Sequence, residues 1–95
     1  SDLQAVERDF AFVVDADVDA LTLVNAAMGA DKVLIEDVRV FDEFIGGSLG
    51  EGKKSLALTV RLQPRDQTLK DADIEAVGAR VIASVTKVTG GVLRG

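Results

Sequence analysis

FDEFIGGSLGEGKKSLALTVRLQ, Phe41 to Gln63, is the stretch whose reading decides the fold. From Lys54 to Gln63 the chain alternates. Leu56, Leu58, Val60 and Leu62 share one parity; Ser55, Ala57, Thr59 and Arg61 share the other. Successive strand residues point to opposite faces, so one face of this strand is apolar and the other small and polar. The first should meet a helical layer, the second water or a ligand. Pro64 has no N–H to give a ladder and stops the strand. Upstream, Gly46-Gly47, Gly50 and Gly52 mark a tight connection, because glycine tolerates positive φ. Val33 to Ile45 reads as the partner strand. Its parity is awkward: Val38 and Val40 look like core, yet Asp42 and Phe44 share their parity. A β-bulge or twist near Phe41 would resolve this and is expected.

Working outward, Val6 to Val14 reads as a strand, and FAFVV, Phe10 to Val14, is apolar at both parities, as suits a central strand. Asp15 and Asp17 end it and offer a helix N-cap. Val18, Leu21, Val24 and Met28 then recur at helical spacing, with Gly29 as the C-terminal cap. A second helix starts near Asp71, where Ile74, Val77, Val81, Val85 and Val88 form a buried stripe. Several are β-branched, so packing rather than propensity must hold this helix. Gly78 inside it costs about 1 kcal/mol relative to Ala unless it permits close packing. Gly90-Gly91 ends the helix, and Val92 to Arg94 is a short last strand. The order is β-α-β-β-α-β. Its simplest solution is an α+β, ferredoxin-like arrangement: a four-stranded antiparallel sheet with two helices on one face. Right-handed crossovers put the first and third strands in the centre.

Ninety-five residues make one domain, 1–95, with no internal repeat. The 47% hydrophobic fraction excludes disorder. The chain has no Cys and no His. That removes disulfides, thiol nucleophiles and the usual general base near neutral pH, and disfavours a zinc site, since zinc prefers sulfur and nitrogen ligands. No segment has the ~20 apolar residues of a membrane span, and the acidic, broken N-terminus is unlike a signal peptide. A cytoplasmic protein is expected. The net charge of −5 alone argues against nucleic-acid binding. Its distribution matters more: Gly52 to Arg65 holds four basic residues and no acid, so a local basic strip is conceivable.

Several motifs invite a chemical reading and have a plainer one beside it. GEGKKS, Gly50 to Ser55, looks faintly like a phosphate loop. Yet Lys54 stands where Ser or Thr belongs, and a strand follows instead of a helix, so a basic hairpin loop is the better reading. Asp42 and Glu43 are strand neighbours pointing to opposite faces and cannot act as a catalytic pair. Phe10 and Phe12 sit where some RNA-binding folds carry stacking aromatics. The third strand offers no aromatic partner, and burial tendency favours a core role. Taken alone, Arg8 beside Asp9 reads as a surface ion pair and Arg94 as a solvated terminal residue.

Longer patterns run through nearly the whole chain: V-x-R-D-F-A-F-V-V at Val6–Val14, V-F-D-x-F-x-G at Val40–Gly46, G-x-G-K-K-S-L-A at Gly50–Ala57, L-Q-P…T-L-x-D-x-x-I at Leu62–Ile74, and G-x-L-R at Gly91–Arg94. In this order and spacing the chain resembles the ferredoxin-fold anticodon-binding domain that closes the β subunit of bacterial phenylalanyl-tRNA synthetases. The resemblance implies a non-catalytic module, the C-terminal piece of a longer chain, that grips the anticodon stem-loop of tRNA(Phe). It implies that Asp42 accepts hydrogen bonds from a base edge. Phe44, where many members have Tyr, would stack on a base; Ser55 would bond a base or backbone group; Arg94 would meet a base edge or phosphate. Arg8, Lys53 and Lys54 are weaker bets for phosphate contacts. No cofactor or metal is implied for this piece; ATP and Mg²⁺ would belong to the parent enzyme. The partners implied are the tRNA, the rest of the β subunit and the α subunit, with no membrane. Lys70 departs from the pattern, standing where the family usually has a Thr cap, which leaves the helix start to water or Asp71.

Two other classes compete. One is a ferredoxin-like regulatory or assembly domain binding a small molecule or a protein partner, which an unpaired edge strand or an apolar pocket would favour. The other is a small enzyme using carboxylates, which the missing His and Cys and the unpaired acids disfavour.

Overall fold

A computed structural model describes residues 3–94. Its elements are β1 (Val6–Asp15), α1 (Ala20–Met28), β2 (Ile35–Phe44), β3 (Lys53–Leu62), α2 (Asp71–Thr89) and β4 (Val92–Leu93), with a single 3-10 turn at Gly47–Leu49 between β2 and β3. The sheet order is β2-β3-β1-β4, and every pairing is antiparallel. This is the ferredoxin-like α+β arrangement, with the first and third strands central. Both crossovers land their helices on one face, where Phe12, Val14, Leu56, Leu58, Val60 and Leu62 meet Leu23 of α1 and Val77, Val81 and Val85 of α2 in one buried cluster.

The expected bulge is present. The β2–β3 register slips between Val40 and Asp42, and again between Ile35 and Asp37. The slip at Phe41 is what turns Asp42 and Phe44 away from the helices. Val40 lies opposite Leu58 on the helix-facing side, whereas Asp42 lies opposite Ala57 and Phe44 opposite Ser55. Phe10 and Phe12 face the helices. Phe12 is fully buried, and the two rings stack with centroids 6.3 Å apart.

The helices differ in detail from the spacing argument. In α1 the buried residues are Leu23, Ala26 and Ala27, and Leu21 is exposed. Two alanines let α1 approach α2 closely enough for the Ser84 hydroxyl to donate to the Ala26 carbonyl at 2.6 Å. The N-cap of α1 is Asp19, in extended backbone and without a side-chain bond, not Asp15 or Asp17. The α2 stripe ends at Val85, leaving Val88 exposed in the last turn before Gly90. At the start of α2 no side chain caps the first-turn N–H groups. Asp73 folds back, and its carboxylate accepts the Lys70 N–H at 3.0 Å. A lysine side chain has no acceptor to return the bond, so the capping box is half complete.

Gly78 faces Phe10. A methyl built there would meet the Phe10 Cζ at 3.7 Å, an ordinary contact. Gly78→Ala is therefore expected to raise unfolding stability by about 0.5–1 kcal/mol, through helix propensity and a stiffer unfolded chain. Urea denaturation, with an unchanged slope, checks this.

Asp31 organises the entry to β2. Its Oδ1 accepts the N–H groups of Val33 and Leu34, both at 2.9 Å, and its Oδ2 takes the Arg80 guanidinium at 2.6 Å. Burial pushes its pKa up, but the Leu34 N–H, Arg80 and the Val33 N–H together outweigh this and hold it below the ordinary 3.8. A lowered carboxylate pKa stabilises the fold above the unfolded-state value, and that contribution is lost as pH falls through the folded value. Asp31→Ala is expected to cost about 1–2 kcal/mol at neutral pH, since Arg80 is half exposed and retains water. The gap from wild type should close only below pH 3.8, as read from denaturation curves taken at a series of pH values.

One edge of the sheet is short. β4 pairs only with Phe12 and Val13, and the Arg94 N–H adds one bond to the Ala11 carbonyl. Among the described residues no strand lies beside Val6–Phe10 of β1 on that side.

Candidate nucleic-acid interface

The face away from the helices is crossed by rows of opposed residues. The first row runs Phe44, Ser55, Val13, Val92 from β2 to β4. The next runs Asp42, Ala57, Ala11, and its far end is Arg94, whose N–H bonds Ala11. Beyond them lie Arg39, Thr59 and Asp9, then Asp37, Arg61 and Glu7.

The two far rows satisfy themselves. Arg61 donates to Glu36 at 2.7 Å and to Glu7 at 3.3 Å. These bonds, Glu36 first, raise its pKa above the ordinary arginine value. Arg39 pairs with Asp37 at 3.2 Å, and the Thr59 hydroxyl donates to Asp9 at 2.8 Å.

The two near rows are different. The Asp42 carboxylate has no hydrogen-bond or ion-pair partner among the described residues, and neither has the Ser55 hydroxyl. Yet Ser55 is only 4% exposed, the one buried polar residue among those described. Arg94 forms no ion pair there either; its guanidinium carbon stands 5.6 Å from the centre of the Phe44 ring, over its face. Phe44 belongs to one edge strand and Arg94 follows the other, three strand spacings or roughly 14 Å away. The two side chains meet because the strands between them present Ser55, Ala57 and Ala11, with Val13 the bulkiest residue beneath. Without larger side chains there, a long residue from each edge can lie inward across the sheet.

The other three basic candidates lie apart from this cluster. Lys53 is on the same face but bonds Asp15 at 2.5 Å. Lys54 has helix-facing parity, is 12% exposed at its side chain, and pairs with Glu43 at 3.3 Å. Arg8 also has helix-facing parity, opposite Val60, and donates to its neighbour's carbonyl at Glu7. The four basic residues between Gly52 and Arg65 do not form one strip. Strand alternation splits Lys53 from Lys54, Arg61 is held by two glutamates, and Arg65 donates to the Val33 carbonyl at 2.8 Å.

The site residues came from motif order. Their floor is Ala57 of β3, signalled by the small residues on that strand's open parity, and Ala11 of β1, which no sequence pattern singles out. Among the described residues no three acidic, His or Cys side chains gather to hold a metal ion. Asp42 and Glu43 point to opposite faces and do not converge on one point. No helix among the described residues is long and apolar enough to cross a membrane.

The geometry can be set beside known proteins. The chain is 80% identical over 94 residues to the phenylalanine–tRNA ligase β subunit of Ruegeria pomeroyi. It is 71% identical over 99 residues to that of Cereibacter sphaeroides, and 60% identical over 95 residues to that of Paramagnetospirillum magneticum. These alignments cover 99%, 100% and 100% of this chain but only 12% of each relative, so the chain spans about an eighth of their length. The sequence model of the ferredoxin-fold anticodon binding domain matches residues 1–94, nearly end to end. With the fold, the open sheet face and these relatives in agreement, the chain belongs to the ferredoxin-fold anticodon-binding domain family.

Proposed function

We propose that the open face, through Asp42, Phe44, Ser55 and Arg94, recognises the anticodon stem-loop of tRNA(Phe), and that the chain works as an appended, non-catalytic module of a phenylalanine–tRNA ligase β subunit. One observation carries this reading. On a face whose other charged groups are ion-paired or hydrogen-bonded within the protein, these residues offer an acceptor, a hydroxyl, a cation and a π surface without polar partners among the described residues. A splayed-out base supplies partners for all four, because single-stranded RNA is read by stacking and by hydrogen bonds to base edges. Phe44 stacks the base, Asp42 accepts from its edge, Ser55 bonds a base or backbone group, and Arg94 donates to a base edge or phosphate. Arg8, Lys53 and Lys54 are lesser phosphate contacts, each of which would first leave a protein partner.

A net charge of −5 means the module contributes recognition and little long-range attraction. The remainder of the β subunit and the α subunit would supply the basic surface, and with it the ATP- and Mg²⁺-dependent chemistry. With so few free cations, the salt dependence of binding is expected to be shallow, with a slope near −0.7 per phosphate neutralised.

The test is an NMR titration at low salt with the anticodon stem-loop, alongside a stem-loop of changed anticodon. Shifts gathered at Asp42, Phe44, Ser55 and Arg94, and larger for the cognate loop, support the proposal. Equal shifts with both loops, or shifts elsewhere, would sink it.

A further inference from the structure

Gly46 has extended backbone, with φ −164° and ψ 156°, a conformation open to any residue. In this it differs from Gly50 and Gly52 in the same connection, whose φ values of 100° and 74° call for glycine on backbone grounds. What forbids a side chain at Gly46 is the Phe44 ring. A β-carbon built there would fall 2.6 Å from Cζ and 2.8 Å from Cε2. Carbon atoms in contact sit at about 3.5–4.0 Å, so even one methyl cannot coexist with the ring where it lies. The ring is the far end of a flexible side chain, and Phe44 is 45% exposed, so it has room to swing away.

From this we infer that Gly46 is a positioning residue: the space left by its missing side chain seats the Phe44 ring in the orientation that presents its face to Arg94 and to an incoming base. The inference rests on the anticodon reading for its consequence, but not for its geometry. With a methyl at position 46 the ring must rotate off its seat, its face leaves Arg94, and the stacking surface is no longer preorganised. A bound base then has to pull the ring back, which weakens binding without touching the core.

The test is a double-mutant cycle on Gly46→Ala and Phe44→Ala, with three readouts. The first is the NMR shift of the Arg94 side-chain protons, which lie over an aromatic face and carry its ring-current displacement. The second is affinity for the tRNA(Phe) anticodon stem-loop. The third is the thermal midpoint. We expect Gly46→Ala to move the Arg94 protons towards their free-arginine positions and to weaken the stem-loop at least about threefold. The midpoint should hold within about 2 °C, and the same change in the Phe44→Ala background should do nothing further. Unmoved Arg94 protons, or equal losses of affinity in both backgrounds, would overturn the inference. If the unaltered domain binds neither stem-loop, the anticodon reading fails by itself, and the Arg94 shifts still decide the role of Gly46.

Discussion

Replacing Phe44 by alanine is expected to weaken binding of the anticodon stem-loop by roughly 5- to 150-fold, the range for losing one base-stacking aromatic. The fold should survive. Phe44 is 45% exposed, lies on the face away from the core, and gives up only its contact with Arg94, worth about 0.5–1 kcal/mol in an exposed setting. Phe44→Leu separates the causes: it keeps apolar bulk but has no π face, so it should bind nearly as poorly as alanine. Phe44→Tyr keeps the face and should bind at least as well as the unaltered domain. Fluorescence anisotropy with a labelled stem-loop at low salt reads all three. An alanine variant that binds as tightly as the wild type would remove stacking from the mechanism.

The opposite behaviour is expected two strands away. Phe12→Ala should lower unfolding stability by about 3–5 kcal/mol, the usual cost of emptying a buried aromatic site. Phe12 is fully enclosed by the cluster of β1, β3 and the helices and stacks on Phe10. For a domain of this size, whose whole stability is on the order of 5–15 kcal/mol, such a loss removes a large share of the total. Circular dichroism during thermal melting reads the effect. A shift of only a few degrees would mean that the cavity collapses and that the helices are less firmly seated on the sheet than their burial implies.

Two phenylalanines of one short chain thus lie on opposite faces of the sheet, and the sequence distinguishes them unequally. Phe12 was legible because burial tendency favours a core role and the cleanly alternating third strand carries no aromatic to complete a stacking pair. The bulge near Phe41 was legible for a related reason: strand parity cannot be kept through Val38, Val40, Asp42 and Phe44 without an extra residue. Leu21 and Val88 misled because helical spacing identifies a face but not how much of it a partner covers. The true contact of α1 is made by Ala26 and Ala27, which are too small to stand out as a hydrophobic stripe.

The candidate site was legible only as motifs. Phe44 and Arg94 are fifty residues apart, and what brings them together is the register of three strand pairings and the low side chains between. The pairing of Lys53 with Asp15, and of Arg61 with Glu7 and Glu36, is equally non-local. A count of basic residues therefore cannot show which cations remain available.

The brevity of β4 has a consequence for crowding. Beside it, Val6 to Phe10 present a strand edge with no neighbouring strand among the described residues, the kind of border on which copies of a protein stick together. Suppose two copies joined there, antiparallel, with their helical layers on the same side. Opposed residues must then share parity, so their numbers sum to an even total. A total of 16 sets Arg8 against Arg8 and Glu7 against Asp9; 14 sets Glu7 against Glu7; 18 sets Asp9 against Asp9. Each of these alignments forces like charges face to face. The triplet Glu7-Arg8-Asp9 therefore works as a mismatched tooth pattern, repelling its own duplicate while leaving the border open to a strand of different sequence.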